Sequence, residues 1–375
     1  MKYLAAIICL LVLCGSAQEL PARRSGGDRV LLRSVPQMEV ATPADQPAEP
    51  IREKRTGKLF ASLCIVNSLH DGVEERRFVI HVPDAAFLPF GQRAARFLAL
   101  VWAAADRRWG RLCSRLRQAP IDVWLTREGA AGGEQVAENL YLYNLASERT
   151  GIEWARELAH EYGHYLLPAA SGYLEPESWP NGVLGERLFL KWLLEDVDAG
   201  RVQMGDLPFP SRQELEDYCA KQVDPLIERF RTQGPKPDLL VRTDRRGFDA
   251  FTGLLLGLQD LYGPEVLMDL LEYLPRRPVG LRATDFLAAF TAFADQSGEF
   301  RMNIPQGGSM AYVPKGRFLV RLETGPAAAK PSVEGCVVKP ASEGWILTAS
   351  RAGWRNVTGP PQGMVLLWHR LDMRE

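Results

Sequence analysis

Apolar and polar residues alternate along several short runs in the first half of the chain, with the period of β-strands that have one buried face. The clearest run is 76–82, where Phe78, Ile80 and Val82 fall on one side. This pattern predicts strands at residues 58–66, 76–82, 121–126 and 139–145.

A different period marks the helices, where apolar residues recur at steps of three and four. The longest stripe predicts a helix over 89–117 and consists of Phe90, Ala94, Phe97, Val101, Ala105, Trp109, Leu112 and Leu116. A second helix begins after Thr150, which is spaced to form a capping box with Glu153, and Pro168 ends it. Further helices are predicted after Ser211 and at 182–199, 248–261, 264–274 and 284–294.

The order of these elements predicts an α+β protein, because strands come first, helices follow, and a small β-rich unit ends the chain. Short β-like runs such as 318–322 and 364–369 alternate with Gly and Pro in that last unit. We therefore predict a subdomain with a mixed β-sheet and the capped helix at 57–170, a helical subdomain at 171–300 and a β-rich unit at 301–375.

The first residues have the features of an export signal. Lys2 precedes an apolar run at 4–13, and residues 15–17 are small, as signal peptidase requires. We therefore interpret residues 1–17 as a signal peptide that is cleaved after Ala17.

Export leads to two alternatives for the mature N-terminus. After cleavage, residues 18–56 would form a flexible, disordered linker rich in Pro, Ala, Glu, Gln and Arg. A lipoprotein modified at Cys14 is the alternative, because the residues before it partly match a lipobox. In both cases the protein is expected to be exported, either to the periplasm or to the medium.

Composition narrows the class of partner. The 375 residues carry a net charge of -1, so nothing favours nucleic acid or an anionic membrane surface as a partner. No segment after the N-terminal run is long and apolar enough to predict a transmembrane helix. Four cysteines remain in the mature chain, and an oxidising compartment would permit any of three pairings among Cys64, Cys113, Cys219 and Cys336.

The candidate chemistry lies in the sequence His160-Glu161-Tyr162-Gly163-His164, within the capped helix. Histidines four residues apart lie one turn apart on one helix face, so both imidazoles are able to bind a single metal ion. Zinc accepts imidazole nitrogen and keeps an open position when only three protein groups bind it. Glu161 lies to the side of the metal-facing positions and is expected to act as general base.

A third ligand has to be a carboxylate, because the only later histidine is His369 in the β-rich unit. The candidates are Glu175, Glu177, Glu186 and Glu195. Glu195 belongs to a charged stripe that faces solvent, and Glu175 and Glu177 lie in a proline-containing loop. Glu186 lies on an apolar helix stripe, where a carboxylate is destabilising unless a cation meets it. We therefore predict Glu186 as the ligand, with the other three as alternatives.

The HExxH motif at 160–164 on one helix, with Glu186 on the next, resembles the gluzincin group of zinc metallopeptidases, and bacterial peptidase MA-like domains in particular. The likeness covers roughly residues 57–296. It implies a zincin-like fold, a bound Zn²⁺ and a peptide or protein substrate. In such domains an edge strand pairs with the extended substrate, and residues 139–145 stand at that place.

The resemblance implies hydrolysis of peptide bonds by a metal-activated water, with Glu161 accepting the water proton and passing it to the leaving amine. Members of the group also carry a Tyr or His that stabilises the oxyanion, for which the candidates are Tyr173, Tyr218 and Tyr262. An Asp is usual one turn after the glutamate ligand, and Leu190 stands there instead. Two rival hypotheses are a catalytically degenerate protein that binds a partner and a zinc hydrolase of a non-peptide bond.

Overall fold

The computed structural model describes most of the chain beyond the predicted signal. It covers residues 28–371 except 44–45, 48, 71–72, 111–119, 169, 277–279, 326–329 and 360–361. The signal peptide predicted at 1–17 and one of the four cysteines, Cys113, lie outside the described residues. The other three, Cys64, Cys219 and Cys336, are free thiols.

The first part of the described chain builds a seven-stranded sheet with helices packed on it. In chain order, the elements of this part are β1 (Asp28–Leu32), β2 (Val35–Thr42), β3 (Ile51–Arg52), β4 (Leu59–Phe60), β5 (Ser62–His70), β6 (Val73–Val82), α1 (Leu88–Trp109), β7 (Ile121–Leu125), β8 (Gly132–Val136), β9 (Asn139–Tyr143) and α2 (Gly151–Leu166). Strands β3 and β4 pair with each other in a separate two-stranded sheet. The strand order is β1-β2-β5-β6-β7-β9-β8. β6, β7 and β9 are parallel, and β8 returns antiparallel to β9.

Helix α1 carries the parallel connection from β6 to β7 and packs on β2, β5 and β6. Within the described part of its predicted apolar stripe, Phe97, Val101 and Ala105 are inaccessible to solvent. Burial of this stripe against the sheet supplies a large hydrophobic contact in this part of the molecule. Helix α1 ends at Trp109, where Gly110 takes a positive φ of 62°, and the predicted helical residues 111–117 lie outside the described residues.

The disordered linker predicted at 18–56 is wrong for residues 28–42, because β1 and β2 belong to the sheet. Val35, Met38 and Val40 are buried in the core that includes α1. The polar and proline-rich average composition of the segment conceals these few apolar residues. Pairing of β2 with β5, together with contact with α1, gives the strand a fixed place in the sheet.

A helical region follows α2. Its helices are α3 (Asn181–Asp198), α4 (Arg212–Gln222), α5 (Asp224–Gln233), α6 (Pro237–Leu240), α7 (Arg245–Tyr262), α8 (Val266–Tyr273) and α9 (Ala283–Gln296). They confirm the predicted helices in this part of the chain, including the capping box of Ser211 with Glu214. No helix among the described residues has both the length and the apolar character needed to cross a membrane.

Helices α2 and α3 approach each other closely at a pair of glycines. A Cβ atom on Gly163 would lie 2.8 Å from the Cα of Gly185, and a Cβ atom on Gly185 would overlap the Cα of Gly163. Neither position therefore accepts a larger residue without a shift of the backbone. This contact sets the first turn of α3 beside the histidines of α2.

The chain ends in two small antiparallel sheets of five and three strands. Their strands are β10 (Glu299–Ile304), β11 (Ser309–Val313), β12 (Gly316–Thr324), β13 (Ser332–Val333), β14 (Val337–Ala341), β15 (Gly344–Ala349), β16 (Gly353–Thr358) and β17 (Met364–Arg370). β10 packs on α7 and β11 on α5. The mixed sheet, the helical region and the β-rich end together confirm the predicted α+β class. The domain limits after residues 170 and 300 stay predictions.

Candidate metal centre

Helix α2 holds the histidine motif through its N-terminal cap and its buried face. The Thr150 side chain accepts a hydrogen bond from the Glu153 amide, and the Glu153 carboxylate accepts one from the Thr150 amide, so the predicted capping box is present. The apolar face is buried through Trp154, Ala155, Leu158, Ala159, Tyr162 and Leu166. His160 and His164 remain half-buried on the other side of the helix.

Three metal-binding side chains come together at this helix. The Nε2 atoms of His160 and His164 are 3.2 Å apart. Glu177 Oε2 lies 3.0 Å from His160 Nε2 and 3.7 Å from His164 Nε2. Within the part of the chain that the structure describes, the ligand atoms of all three lie within 4.8 Å of one another. Two imidazole nitrogens and one carboxylate oxygen are a ligand set typical of catalytic zinc.

The Nδ1 atom of each imidazole has a partner that fixes the ring. His160 Nδ1 lies 3.4 Å from Glu186 Oε2. His164 Nδ1 lies 2.9 Å from Asn181 Oδ1, and Asn181 Nδ2 donates to the carbonyls of His164 and Leu167. When Nδ1 donates to these oxygens, Nε2 of both rings keeps its lone pair for a metal ion.

The predicted ligand Glu186 occupies this supporting position, away from the side on which the Nε2 atoms meet. Its Oε1 accepts hydrogen bonds from Arg156 Nε at 2.6 Å and from the Tyr218 hydroxyl at 2.7 Å. Burial raises the pKa of Glu186, but these bonds and the one with His160 together lower it below the ordinary value. The geometry therefore favours Glu177 over Glu186 as the third ligand.

The prediction of Glu186 as a ligand rests on its need for a cation, and protein groups meet that need in the described structure. A carboxylate on the buried face of α3 does need positive charge, and Arg156 with the His160 ring supplies it. Glu177 lies in the loop before α3, where no periodic pattern shows that the chain returns to the histidines. Its Oε1 lies 3.4 Å from the Val183 amide in the first turn of α3.

The remaining two alternatives lie apart from the cluster. Glu175 is exposed, with its Oε1 3.5 Å from the Arg245 amide. Glu195 pairs with Arg108 and Lys191. Both positions agree with the charged or exposed settings that the sequence indicated.

Glu161 is buried beside the histidines and has one carboxylate oxygen without a partner. Only 4% of the residue is exposed, and no described group donates to its Oε2. Burial raises the pKa of Glu161 to about 7, although the neighbouring His160 and His164 lower it. A Cβ atom on Gly133 of β8 would lie 2.6 Å from Glu161 Oε1, so this glycine leaves the space that the side chain fills. The arrangement suits a group that accepts a proton.

A second glycine keeps the space beside the two Nε2 atoms open. A Cβ atom on Gly182, in the first turn of α3, would overlap His164 Nε2 and lie 2.5 Å from His160 Nε2. Any other residue would fill the space in which the ligand atoms converge. The ligand set and this open space together fit a zinc ion.

The cluster borders a cleft of about 760 Å³. Strand β8, helix α2, the loop before α3, α3 itself and the start of α7 form its walls, which include Gly133, Glu157, Glu177 and Arg187. No tyrosine lines the cleft in the described chain.

The three tyrosines predicted as oxyanion candidates are buried within the protein and do not line the cleft. Tyr218 donates to Glu186. The Tyr262 hydroxyl bonds to the backbone of Tyr312, and Tyr173 packs among phenylalanine rings.

The strand at the edge of the sheet beside the cleft is β8, and the prediction that residues 139–145 form the edge is wrong. Residues 139–143 form β9, which lies between β7 and β8. Glycine is rare within strands, so the glycine-rich segment 129–133 has no strand pattern of its own. Part of it nevertheless begins β8, which pairs with β9 from Gly132↔Tyr143 to Val136↔Asn139.

Comparison with known proteins finds a distant structural likeness. The sequence matches no protein-family model and no curated protein. Among solved structures, the chain is similar to Legionella pneumophila aminopeptidase A in complex with aspartic acid, at 13% identity and a TM-score of 0.30. The match covers 89% of this chain and 41% of that chain, so this chain spans less than half the length of the aminopeptidase. A likeness of this degree does not assign a fold or an activity.

Proposed function

We propose that this chain is a zinc-dependent peptidase in which His160, His164 and Glu177 bind the metal and Glu161 is the general base. The supporting observation is the convergence of both Nε2 atoms and the Glu177 carboxylate beside a buried, unpartnered oxygen of Glu161. Structural zinc sites are closed by four protein ligands. Three ligands beside an acid–base group and a cleft are typical of catalysis.

The side chains divide the chemistry between them. A bound zinc ion supplies Lewis-acid chemistry, which makes a water molecule more acidic and polarises the carbonyl of the scissile bond. Glu161 accepts a proton from water at its free Oε2 and gives it to the leaving amine. Glu186 and Asn181 hold the two imidazole rings with Nε2 towards the cluster.

Strand β8 offers a means of orienting a peptide. It has β9 on one side and no second strand neighbour in the described sheet, and its Gly132 and Gly133 line the cleft. An extended substrate would add to this edge through backbone hydrogen bonds, and the two glycines allow its backbone to approach closely. This mode of binding supports a peptide or protein as the substrate.

We also propose that the protein is exported, on the strength of the charged, apolar and small residues in the first seventeen positions. N-terminal sequencing of the protein recovered from its source should begin at Gln18. A lipid-modified Cys14 would instead indicate a lipoprotein anchored to a membrane.

The peptidase proposal is tested by digesting a mixed peptide library and reading the products by mass spectrometry. Cleavage should stop with a chelator and return when zinc is restored. Glu161→Gln should retain zinc but lower turnover by on the order of a hundredfold or more. Glu175→Gln is the matched control, because Glu175 lies exposed in the Glu177 loop and should leave turnover unchanged.

Each of three experimental outcomes would contradict the peptidase proposal. Full turnover by Glu161→Gln would exclude the mechanism. A zinc-loaded protein that binds peptides without cleaving them would support the degenerate binding protein. Cleavage of esters or other acyl bonds, with no peptide product, would support the hydrolase of a non-peptide bond.

A further inference from the structure

Arg187 is a buried cation in the wall of the cleft with an unpartnered nitrogen. Only 4% of the residue is exposed, and its Nη1 has no hydrogen-bond partner among the described residues. Asp249 Oδ1 lies 4.0 Å from Nη1, which is beyond hydrogen-bonding distance. An unsatisfied guanidinium in a protein interior is destabilising, so its presence in a cleft points to a ligand that completes it.

The acids nearest to Arg187 are engaged by other groups. Both carboxylate oxygens of Asp249 lie 3.2 Å from Arg245 Nε. Glu186 accepts its hydrogen bond from Arg156 at 2.6 Å. Neither acid therefore forms with Arg187 the bidentate ion pair that a guanidinium prefers.

The position of Arg187 relates it to the candidate metal centre. It follows Val183 by one turn of α3, a rise of about 6 Å, and the Val183 amide lies 3.4 Å from Glu177 Oε1. Arg187 also lines the same cleft as His160 and Glu161. One residue of an extended peptide spans about 3.4 Å. A group on Arg187 would thus belong to a substrate residue close to the scissile bond.

We propose that Arg187 binds a carboxylate of the substrate, so that the protein prefers peptides with a negative charge one or two residues from the cleaved bond. This inference rests on the proposed peptidase function and adds the class of substrate. A guanidinium fork matches a carboxylate with two parallel hydrogen bonds, and burial strengthens them. The carboxylate comes either from an Asp or Glu side chain or from the C-terminus of the peptide.

Binding of labelled peptides to the zinc-loaded, full-length Glu161→Gln protein tests the inference without requiring turnover. The probes are short peptides in which one Glu or one Gln is moved through successive positions, each with a free and an amidated C-terminus. The favoured Glu peptide should bind on the order of tenfold to a hundredfold more tightly than its Gln counterpart. The free and amidated forms distinguish a side-chain carboxylate from a terminal one.

Variants of Arg187 in the same background assign the preference to this side chain. Arg187→Met should remove the difference between carboxylate and amide peptides and leave binding of the amide peptide nearly unchanged. Arg187→Lys should retain part of the preference, because it keeps the charge but loses the fork. Arg212→Gln is the matched control, since Arg212 is exposed on α4 outside the cleft and should leave the preference intact.

Thermal unfolding separates a substrate-binding role from a structural one. Arg187→Met should keep or raise the unfolding midpoint, because it replaces an unsatisfied buried charge with an apolar side chain. A fall in midpoint with an unchanged peptide preference would overturn the inference and make Arg187 a structural residue.

Different experimental results would contradict the role of Arg187 and the proposed peptidase function. Equal affinity for carboxylate and amide peptides, or a preference that survives Arg187→Met, overturns the role of Arg187 and leaves the peptidase proposal standing. The peptidase proposal fails when the zinc-loaded wild type cleaves no library peptide, and the binding comparison then still decides what Arg187 does.

Discussion

At the scale of single residues, the imidazoles of His160 and His164 each present two nitrogens with separate partners. The Nε2 atoms face the carboxylate of Glu177, whereas the Nδ1 atoms face Glu186 and Asn181. The two glutamates near His160 would therefore have different tasks, according to the nitrogen that each contacts. One would bind the metal, and the other holds the ring.

Substitution of the two glutamates should separate these tasks. Glu177→Gln removes an anionic ligand and should weaken zinc binding by on the order of a hundredfold or more. Glu186→Gln disturbs only the support of the His160 ring and should weaken it by roughly tenfold. Competition with a chromophoric chelator measures both affinities. A larger loss for Glu186→Gln would return the third-ligand assignment to Glu186.

Gly182→Ala should abolish zinc binding although it removes no ligand. The new Cβ atom would occupy the space beside the Nε2 atoms of His160 and His164. The helix itself should tolerate the change, because Ala favours helix over Gly. Gly205→Ala is the control, since nothing lies within 4 Å of a Cβ atom there. Metal analysis of purified protein gives the occupancy, and one full equivalent of zinc in Gly182→Ala would contradict the placement of the site.

The sequence predicts part of this arrangement because a helix is a local structure. The spacing of His160, Glu161 and His164 places three side chains within little more than one turn, whatever the rest of the fold does. The approach of Glu177 depends on how a loop closes between two helices, and no local period encodes that path. The partner that neutralises Glu186 is likewise set by packing of α2 against α3.

At the scale of elements, the contact between α2 and α3 determines the geometry of the candidate site. Gly163 and Gly185 lie against each other, and the first turn of α3 brings Asn181 and Gly182 to the histidines of α2. A small displacement of α3 would move the ring partners and the open space together. The site therefore depends on two positions that carry no functional side chain.

Gly185→Ala should lower both stability and zinc affinity. Its Cβ atom would overlap the Cα of Gly163, and such overpacking lowers the free energy of unfolding by about 1–3 kcal/mol. Gly253→Ala in α7 is the matched control, because its Cβ atom would make only ordinary contacts at 3.5 Å or more. Urea unfolding, together with zinc titration, measures the two effects. A stability equal to wild type would show that α2 and α3 have room to separate.

Two strands, β8 and β2, show where the local sequence pattern fails to predict a whole element. The strand β8 begins with Gly132 and Gly133, residues that usually indicate a link between strands. Pairing with β9 gives this segment its extended form. In β2, the apolar residues Val35, Met38 and Val40 are hidden in a polar and proline-rich average, and contact with α1 orders them. Both elements are fixed by long-range partners.

At the scale of the whole molecule, Asp196 connects α1, which covers the sheet, to α3, which completes the candidate site. This aspartate in the last turns of α3 is fully buried. Its Oδ2 accepts from Arg107 Nη1 at 2.5 Å, and its Oδ1 accepts from Arg108 Nη2 at 3.1 Å. Arg201, in the turn after α3, donates to Oδ1 at 2.8 Å. The cluster joins α1, α3 and the following turn through one charge.

Asp196→Asn should therefore lower the free energy of unfolding by about 2 kcal/mol at neutral pH, because it removes the buried anion that accepts charged hydrogen bonds from Arg107, Arg108 and Arg201. Asp198→Asn is the matched control. Asp198 is exposed two residues further along the chain and pairs with Arg212 at the surface, so its loss should change the free energy by no more than about 0.5 kcal/mol. Urea unfolding measures both variants.

The effect of Asp196→Asn should also depend on pH in a defined direction. Burial raises the pKa of Asp196, but hydrogen bonds from Arg108 and Arg201 and the charge of Arg107 lower it below the ordinary value of 3.8. A carboxyl group whose pKa is lowered by folding contributes its full stability above the unfolded value and loses it as the pH falls through the folded value. The difference in free energy between wild type and Asp196→Asn should thus stay constant from pH 7 to about pH 5 and shrink below about pH 4. Other titrating groups are shared by the two proteins, so the difference isolates this one carboxylate. An equal difference at every pH would show that Asp196 does not carry the charge that joins these helices.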